Sequence, residues 1–577
     1  MLDKIRETFK VMYGTHGDSI IIDSYIPADG LYIIVSEKNN ILKETERITI
    51  KLDKKTKEID RTIDNFDFIA SVDYMSKVVD MNKPIDKKKI IQSNNYLSFV
   101  IKKESLVNGK LTNEIIDGYY EILENPIKKY DKSKKSKELY ESIEERNGKV
   151  NTQRLNIVKE WIKDNIFNLL EKEDIDKGYL KIFFNFDKFD LSEYKKESEK
   201  YIIPNLYNSN DFNIKINGYI YGLPNDNMGL NSKKPYLENK SRKTKVPYLI
   251  NQDDVMIQKK IFDYLMNLAS IGITNIYIND KEIKAIKNGE LIDEEDFSGI
   301  YLRIQKGKEV EIIDSDTINS YNNNIKPMNF ENILQGDIKN LKQSYGEINT
   351  IHEMQRLINE VFFSKFLINN YFTEAKDISI NDSNLKRNLI LARSALFTWF
   401  YKGNTSSLYK VINIISLSLI KDSINNAYFY KAVEQFNLRS SLIRYLKGGE
   451  SMADILIDNK NKLREKIIMK DTGSIESDKE YFFAVGQLIN YFMSKNKGSK
   501  KVQSLINPII NAKSDERLKE ELKRLYKKYN YDIDQYSRKF NNMFAMVSSY
   551  KPEERIDDDL IIAGYLHSNL IFEKSEK

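Results

Sequence analysis

The chain has 577 residues and contains no cysteine. This absence excludes disulfide bonds, thiol nucleophiles and cysteine-ligated zinc. The three histidines, His16, His352 and His567, lie far apart, and none belongs to an HExxH pattern. A histidine-based metal centre is therefore not expected, although metal sites made only of carboxylates stay open.

Motifs of nucleotide binding and covalent catalysis are also absent. The chain has no GxxxxGK[ST] loop, no GxGxxG after a strand and no GxSxG elbow. Acidic runs occur at 294–296 and 557–559, but neither has a spaced acidic partner. The second run lies where a helix is predicted to begin, which favours a role in complementing the helix dipole. We therefore expect no catalytic residues, no metal and no cofactor.

Long hydrophobic runs are missing as well. No stretch approaches the ~18 apolar residues of a membrane span, and the charged N-terminal segment MLDKIRETFKVMYG lacks the apolar run of a signal peptide. These features predict a protein of the cytoplasm without membrane contact.

The pattern of the chain predicts an α+β fold whose last part is an all-α bundle. Strand-like runs rich in Ile, Val and Tyr lie at 19–23, 31–36, 48–52, 95–102, 179–186, 212–216, 275–278 and 299–304. Helical periodicity is found at 65–79, across 113–170 and at 255–269. Further helices are predicted at 353–368, 383–401, 406–420, 426–445, 452–469, 479–493, 517–529, 533–548 and 557–572. The predicted domains are 1–125 (α+β), 126–350 (α+β), 351–451 (helical) and 452–577 (helical bundle).

Positive charge is concentrated in one segment, residues 227–250, which we call the basic segment. It carries six cations and one anion, whereas the whole chain has a net charge of only +6. The cations are Lys233, Lys234, Lys240, Arg242, Lys243 and Lys245. Such side chains can neutralise phosphates, and the amides of Asn231, Asn239 and Asn251 can hydrogen-bond to bases or sugar. A solvated basic loop without a ligand is the alternative.

A second candidate for nucleic-acid contact lies at 86–103. Lys87, Lys88 and Lys89 lead into a polar turn that contains Asn94 and Asn95, and an aromatic-bearing strand follows. Asparagine pairs in turns also serve purely structural purposes, because Asn tolerates the left-handed backbone conformation. Both interpretations stay open.

The third candidate is the helix predicted at 517–529. Its spacing places Arg517, Arg524 and Lys528 on one face, with leucines on the other. A groove for single-stranded nucleic acid and an ordinary solvated face are the two alternatives.

Three sequences carry a family resemblance. NMGLNSKKPYLENKSRKTKVPYL, at 227–249, resembles the central signature of the large subunit of type I-B CRISPR Cascade complexes. KKKIIQSNNYLSFVIKK at 87–103 and YFFAVGQLINYFMSKNKGSKKVQSLINPIINAK at 481–513 are similar to two further motifs of that family. The three matches occur in order and span most of the chain.

The resemblance implies a non-catalytic subunit of an RNA-guided complex. Its implied partners are guide CRISPR RNA, double-stranded target DNA and its displaced strand, the other Cascade subunits and a recruited nuclease-helicase. The implied role is to recognise the protospacer-adjacent motif and to help open the duplex, with a C-terminal bundle similar to the separate small subunit. Many relatives carry a CxxC pair before the central signature, but residues 207–222 have none. We expect packing and hydrogen bonds, without zinc, to order that region.

An internal translation start is predicted at Met452. The family resemblance implies a short C-terminal product, and Lys447–Met452 can be encoded with the ribosome-binding sequence AGGAGG shortly before an ATG. The start then falls at the beginning of a predicted helix. The alternative is a Gly-Gly helix stop followed by an ordinary methionine.

Two other classes of function stay open at this point. One is a metal-dependent nucleic-acid-processing enzyme, which needs a spaced set of carboxylates. The other is a helical scaffold that does not contact nucleic acid. Such a scaffold would bind no polyanion even at low ionic strength.

Overall fold

The computed structural model describes residues 1–39, 41–53, 58–131, 133–169, 178–186, 188–207, 209–224, 248–334, 345–496 and 503–574. The chain divides into two compact units. The first unit contains residues 1–287 and 299–315, and the second contains 288–298 and 316–577.

The first unit mixes helices with three sheets. Its helices are α1 (Leu2–His16), α2 (Ser19–Ile22), α3 (Phe66–Ser76), α4 (Lys103–Val107), α5 (Asn113–Glu124), α6 (Ile127–Tyr130), α7 (Lys134–Asn147), α8 (Thr152–Asn165), α9 (Ser192–Leu206) and α10 (Gln252–Ser270). Its strands are β1 (Gly30–Lys38), β2 (Ile41–Ile50), β3 (Ser98–Lys102), β4 (Tyr179–Asn185), β5 (Ile214–Ile216), β6 (Tyr219–Gly222), β7 (Ile250–Asn251), β8 (Ile273–Ile278), β9 (Ile283–Lys287), β10 (Phe297–Lys306) and β11 (Val310–Tyr321), the last of which continues into residues of the second unit.

The described residues of the second unit are mainly helical, with two strands of their own. The strands are β12 (Asn324–Phe330) and β13 (Gly346–Thr350). The helices are α11 (Ile351–Val361), α12 (Ser383–Lys402), α13 (Leu408–Asn425), α14 (Phe429–Lys447), α15 (Met452–Ile468), α16 (Asp478–Ser494), α17 (Asn507–Ile510), α18 (Asp515–Tyr529), α19 (Arg538–Ser549) and α20 (Asp558–Leu566).

The main sheet of the first unit has the order β2-β1-β4-β3. The central strands β1 and β4 run parallel, and the outer strands pair with them in antiparallel fashion. The central strands read as nearly continuous apolar runs because both of their faces are buried. A smaller sheet, β5-β6-β7, lies at the two ends of the basic segment.

A buried ion pair joins the main sheet to α3. Nζ of Lys181 on β4 lies 2.6 Å from Oδ1 of Asp73, and both side chains are almost completely buried. The hydroxyl of Tyr25 donates to the other oxygen of Asp73 at 2.7 Å. The next residue of the helix, Tyr74, donates to Asp263 of α10 at 2.7 Å. Helix α3 is therefore fixed at once to the sheet, to the segment after α2 and to α10.

Helix α16 is the centre of the C-terminal bundle, and it is buried almost all round. It crosses α20 where Gly486 faces Gly564. A Cβ atom added at Gly486 would lie 2.2 Å from the carbonyl oxygen of Ile561, and one at Gly564 would lie 2.2 Å from that of Phe483. Only glycine allows the two backbones to approach this closely.

Charged groups fix α20 to the neighbouring helices. Asp557 caps α20 by accepting the backbone N–H of Leu560, and Asp558 pairs with Lys421 at 3.1 Å. The carboxylate of Asp559 accepts hydrogen bonds from Nε and one Nη of Arg439, at 2.7 and 3.0 Å. The acidic run at 557–559 thus has the helix-terminal role that the sequence predicted.

The α+β fold with a helical C-terminal part is confirmed. The strand predicted at 19–23 is wrong, because this segment forms the short helix α2. Its Ile21 and Ile22 are both buried by tertiary packing, which overrides the β propensity of an isoleucine run. Strands β6, β7, β9, β11, β12 and β13 were not predicted, and most of the residues of the last four are exposed or only partly buried.

The observed division differs from the four predicted domains. The boundary predicted at 125/126 runs through the main sheet, because β1 and β3 precede it and β4 follows it. One hydrophobic core includes Phe436 and Ile420 before residue 452 and Leu488 after it, so the boundary at 451/452 lies inside the second unit.

The Gly486–Gly564 crossing yields a stability prediction. We expect Gly486→Ala to lower the free energy of unfolding of the second unit by about 1–3 kcal/mol, because the new methyl group overlaps backbone atoms. The two tryptophans of the chain, Trp161 and Trp399, lie in the first and second units respectively. Thermal unfolding followed by Trp399 fluorescence in a Trp161→Phe background reports the second unit alone.

The control is Gly118→Ala in α5 of the first unit, followed by Trp161 fluorescence in a Trp399→Phe background, because an added Cβ there meets nothing within 4 Å. Alanine is a better helix former than glycine, so this change should stabilise slightly, by up to ~1 kcal/mol. An unchanged melting temperature for Gly486→Ala would contradict the proposed close crossing.

Candidate nucleic-acid interface

The cations of the basic segment lie outside the described residues, together with Asn231 and Asn239. These cations are Lys233, Lys234, Lys240, Arg242, Lys243 and Lys245. The structure does describe the residues on either side. β6 lies before the segment and β7 at its end, and these strands pair in antiparallel fashion with Tyr221 opposite Asn251 and Gly222 opposite Ile250. The described residues that flank the segment therefore lie at adjacent backbone positions of the first unit.

Close packing holds the two ends together. The hydroxyl of Tyr207 donates to the carbonyl of Ile250 at 3.1 Å. A Cβ atom at Gly222 would lie 2.4 Å from the Tyr207 ring and 2.6 Å from Oδ1 of Asn213. Lys135 of α7 donates to the carbonyls of Asp211 and Asn213 at 2.7 and 2.8 Å. Packing and hydrogen bonds thus order the described residues between 207 and 222.

Asn251 does not have the role that the sequence indicated. Its Oδ1 accepts the backbone N–H of Asp254 at 2.8 Å, and its Nδ2 donates to the Asp254 carboxylate at 3.2 Å. The side chain therefore caps α10, and both of its polar atoms are engaged. Just before it, Tyr248 accepts a hydrogen bond from Arg6 of α1 at 2.7 Å, which further fixes the return of the segment.

Lys87, Lys88 and Lys89 are exposed, as a phosphate-binding role requires. The buried carboxylate of Asp86 shapes their turn by accepting the backbone N–H groups of Lys88, Ile90 and Ile91 at 2.7–3.1 Å. Lys89 adopts a positive φ of 62° within this turn. The three ammonium groups are thus presented by a fixed backbone.

Asn94 and Asn95 were expected as possible base contacts, and the structure gives them a structural role. Both are 1% exposed. Nδ2 of Asn94 donates to the carbonyls of Met75 and Lys77, both at 2.7 Å, at the end of α3. Asn95 accepts the backbone N–H of Leu97 at 3.0 Å and donates to Asn94. Their polar atoms hold the lysine turn against α3, so neither reaches a ligand.

A further lysine near this turn has a lowered pKa. Nζ of Lys129 donates to the carbonyls of Lys83 and Pro84 at 3.2 and 2.5 Å. Burial, with a smaller contribution from the Lys83 ammonium, lowers the pKa of Lys129 to about 8. Its role is to fix the backbone that leads into the turn.

Helix α18 buries its leucines, as its pattern predicted, but two of its arginines are paired. Arg517 lies 2.7 Å from Glu521, and Arg524 lies 3.0 Å from the same carboxylate. Glu520 pairs with both arginines as well. Lys528 is exposed, with its Nζ 5.6 Å from the centre of the Tyr529 ring. The arginines are thus partly neutralised, and the exposed Lys523, Lys527 and Lys528 are the more available cations.

The structure brings together only some of the predicted residues. The lysine turn and both ends of the basic segment belong to the first unit, whereas α18 belongs to the second. Among the described residues, no group of three or more His, Asp or Glu side chains is arranged to hold a metal ion. Likewise, none of the described helices is long and apolar enough to cross a membrane.

Sequence reasoning missed two tyrosines beside α18. Tyr531 and Tyr536 lie between α18 and α19 and are 74% and 96% exposed. The available signal was their position among lysines and turn-forming residues in KKYNYDIDQYSRK. No family model, curated protein or solved structure matches the chain.

Because the side chain of Asn94 is hydrogen-bonded within the first unit, we expect that its removal reduces the stability of this unit. We expect Asn94→Ala to lower the free energy of unfolding of the first unit by about 1–3 kcal/mol, because two buried carbonyls lose their donor. Trp161 fluorescence in a Trp399→Phe background measures this unfolding.

Lys88→Ala is the matched control, since its exposed side chain should leave stability within about 0.5 kcal/mol of the parent. An Asn94→Ala protein as stable as the Lys88→Ala protein would contradict the structural role of Asn94.

Proposed function

We propose that the chain is the non-catalytic large subunit of a type I-B CRISPR surveillance complex in the bacterial cytoplasm. Within this proposal it binds guide CRISPR RNA and the other Cascade subunits and recognises the protospacer-adjacent motif on double-stranded target DNA. It then aids duplex opening, contacts the displaced strand and recruits the nuclease-helicase. The observation that supports the proposal is the basic segment, whose sequence resembles the family signature and whose flanking strands pair in one small sheet.

Anchored ends favour a binding loop over a loose basic tail. A long connection whose ends are held at adjacent positions presents its side chains from one place on the surface. In such a loop the lysines and arginines hold phosphates, and amide side chains read base edges. The exposed Lys87–Lys89 turn belongs to the same unit and supplies further phosphate contacts.

The C-terminal part supports the proposed relation to a small subunit. Helix α15 begins at Met452, and Gly448 and Gly449 before it have positive φ angles of 77° and 111°. An internal start would thus produce a chain that begins with a complete helix. Helices α15, α16, α18, α19 and α20 share one core, so most of the buried contacts of this product lie within it.

The proposal predicts binding that depends on the duplex motif. The complex should bind a duplex with the recognised motif about 5- to 150-fold more tightly than one with an altered motif, since each lost base contact costs ~1–3 kcal/mol. The double variant Lys234→Ala, Arg242→Ala should bind both duplexes more weakly. The slope of the logarithm of the binding constant against the logarithm of the salt concentration should become shallower by about 0.9 per lost phosphate contact. Titrations at several salt concentrations measure both quantities.

Lys376→Ala is the control, because its exposed side chain pairs only with Glu374 nearby. It should change neither affinity nor slope. Equal binding to both duplexes would contradict motif recognition, whereas failed subunit assembly in the double variant would assign the two cations to assembly.

The internal start predicts a second, shorter product. Replacing Met452 with leucine should remove a C-terminal fragment of residues 452–577 that antibodies to the C-terminus detect in cells. Synonymous recoding of Gly448 and Gly449 should also remove it, without changing the protein. Met469→Leu, just beyond the end of α15, is the control and should leave the fragment in place. A fragment that persists after both changes at 448–452 would contradict the internal start.

A further inference from the structure

The connection between α18 and α19 carries an unusual aromatic surface. Tyr536 is 96% exposed, more than any other large hydrophobic side chain among the described residues, and Tyr531 is 74% exposed. Other tyrosines of the second unit, such as Tyr481 and Tyr565, are buried. Two aromatic rings of this size left in solvent have no packing role within the unit.

The exposure results from a fixed loop. Ile533, between the two tyrosines, is buried and anchors the loop in the core. The backbone N–H of Tyr536 donates to Oδ1 of Asp534 at 2.9 Å. Nδ2 of Asn541 in α19 donates to the carbonyl of Gln535 at 2.9 Å. On the other side of Tyr536, the backbone N–H of Ser537 donates to the carbonyl of Asp534 at 3.1 Å. The backbone on both sides of Tyr536 is therefore held, and the ring projects from a defined position.

Unpaired cations flank the two rings. Residues 523–540 contain six cations and only two anions. Lys523, Lys527 and Arg538 are exposed and form no ion pair with any residue that the structure describes. Lys527 and Tyr531 are four positions apart where α18 runs into a helical turn at Asn530–Asp532, so they share one face.

Aromatic rings among cations suit one ligand in particular. The flat faces of unpaired nucleobases stack on exposed aromatic side chains, while lysine and arginine neutralise the phosphates between the bases. A duplex offers the phosphates but keeps its bases stacked inside, so it gains only the charge contribution. The surface is therefore suited to a single strand.

We infer that Tyr531 and Tyr536, with Lys523, Lys527, Lys528 and Arg538, form a stacking platform for the bases of single-stranded nucleic acid. The identity of this ligand rests on the proposed nucleic-acid-binding function. The platform itself rests on the exposure of the rings and the charges beside them. It requires no sequence readout, because every base has a face that can stack.

The test uses the full-length chain and a fluorescent oligothymidylate of about twenty nucleotides, longer than one such site covers. Tyr531→Ala with Tyr536→Ala should weaken binding by about tenfold or more, because stacking on each ring is lost. Tyr531→Phe with Tyr536→Phe keeps both ring faces and should bind within about twofold of the parent. Binding of a blunt duplex of the same length should differ little among the three proteins.

The matched control replaces Tyr428 and Tyr430, which are 61% and 64% exposed before and within α14. Alanine at these two positions should leave oligothymidylate binding unchanged. Equal loss in the control, no loss in the Tyr531/Tyr536 alanine protein, or loss in the phenylalanine protein would overturn the platform. Competition by polyglutamate as strong as by unlabelled oligothymidylate would overturn it too, in favour of an acidic protein ligand.

The outcomes separate this inference from the proposed function. The platform alone would be contradicted if duplex binding is normal and oligothymidylate binding is unchanged when Tyr531 and Tyr536 are replaced with alanine. Failure of the parent chain to bind either nucleic acid at low salt would contradict the proposed function as well.

Discussion

The first unit depends on the buried ion pair between Lys181 and Asp73. A buried pair of this kind is costly to break, because removing one partner leaves the other charged and unpaired at ~3–5 kcal/mol. Through Asp73, helix α3 is held on the main sheet, and its last turn then supplies the carbonyls that bind Asn94. Tyr74 of α3 hydrogen-bonds to Asp263 and so fixes α3 to α10 as well. Helix α10 begins at Gln252, just after the end of the basic segment. Both candidate contact regions of this unit are thus positioned by one polar network.

Some polar side chains of these regions stabilise the fold, whereas others are exposed and available to a ligand. The amides expected at bases, Asn94, Asn95 and Asn251, are all engaged in fixing backbone. The cations beside them, above all Lys87–Lys89, remain in solvent. The second unit repeats the pattern: carboxylates pair the arginines of α18, while the lysines and two tyrosines at its end stay exposed. Binding in the proposed account therefore falls to lysines, to exposed rings and to the basic segment.

How far the sequence predicts the structure depends on how local the relevant contacts are. Most helices of the second unit follow from periodicity and capping residues, which are local signals. The observed bounds of α12, α15, α16 and α18 lie within two residues of the predicted ones, whereas α11 and α20 end seven and six residues earlier than predicted and the short α17 was not predicted. The partners of Asn94 are the carbonyls of Met75 and Lys77, which no local pattern indicates. The pairing of Arg517 and Arg524 with Glu521 was visible from the three- and four-residue spacing. The exposure of Tyr536 could not be predicted from the sequence, since tyrosines in helical bundles are often largely buried.

The central claim is that this chain is a subunit of an RNA-guided complex. The most direct measurement is to purify the affinity-tagged chain from cells that express it with its neighbouring genes and to sequence the RNA that remains bound. The account predicts several co-purifying subunits and short RNAs of one processed length that carry a common repeat-derived end. A chain that elutes alone, or with RNA of mixed length and origin, would contradict it.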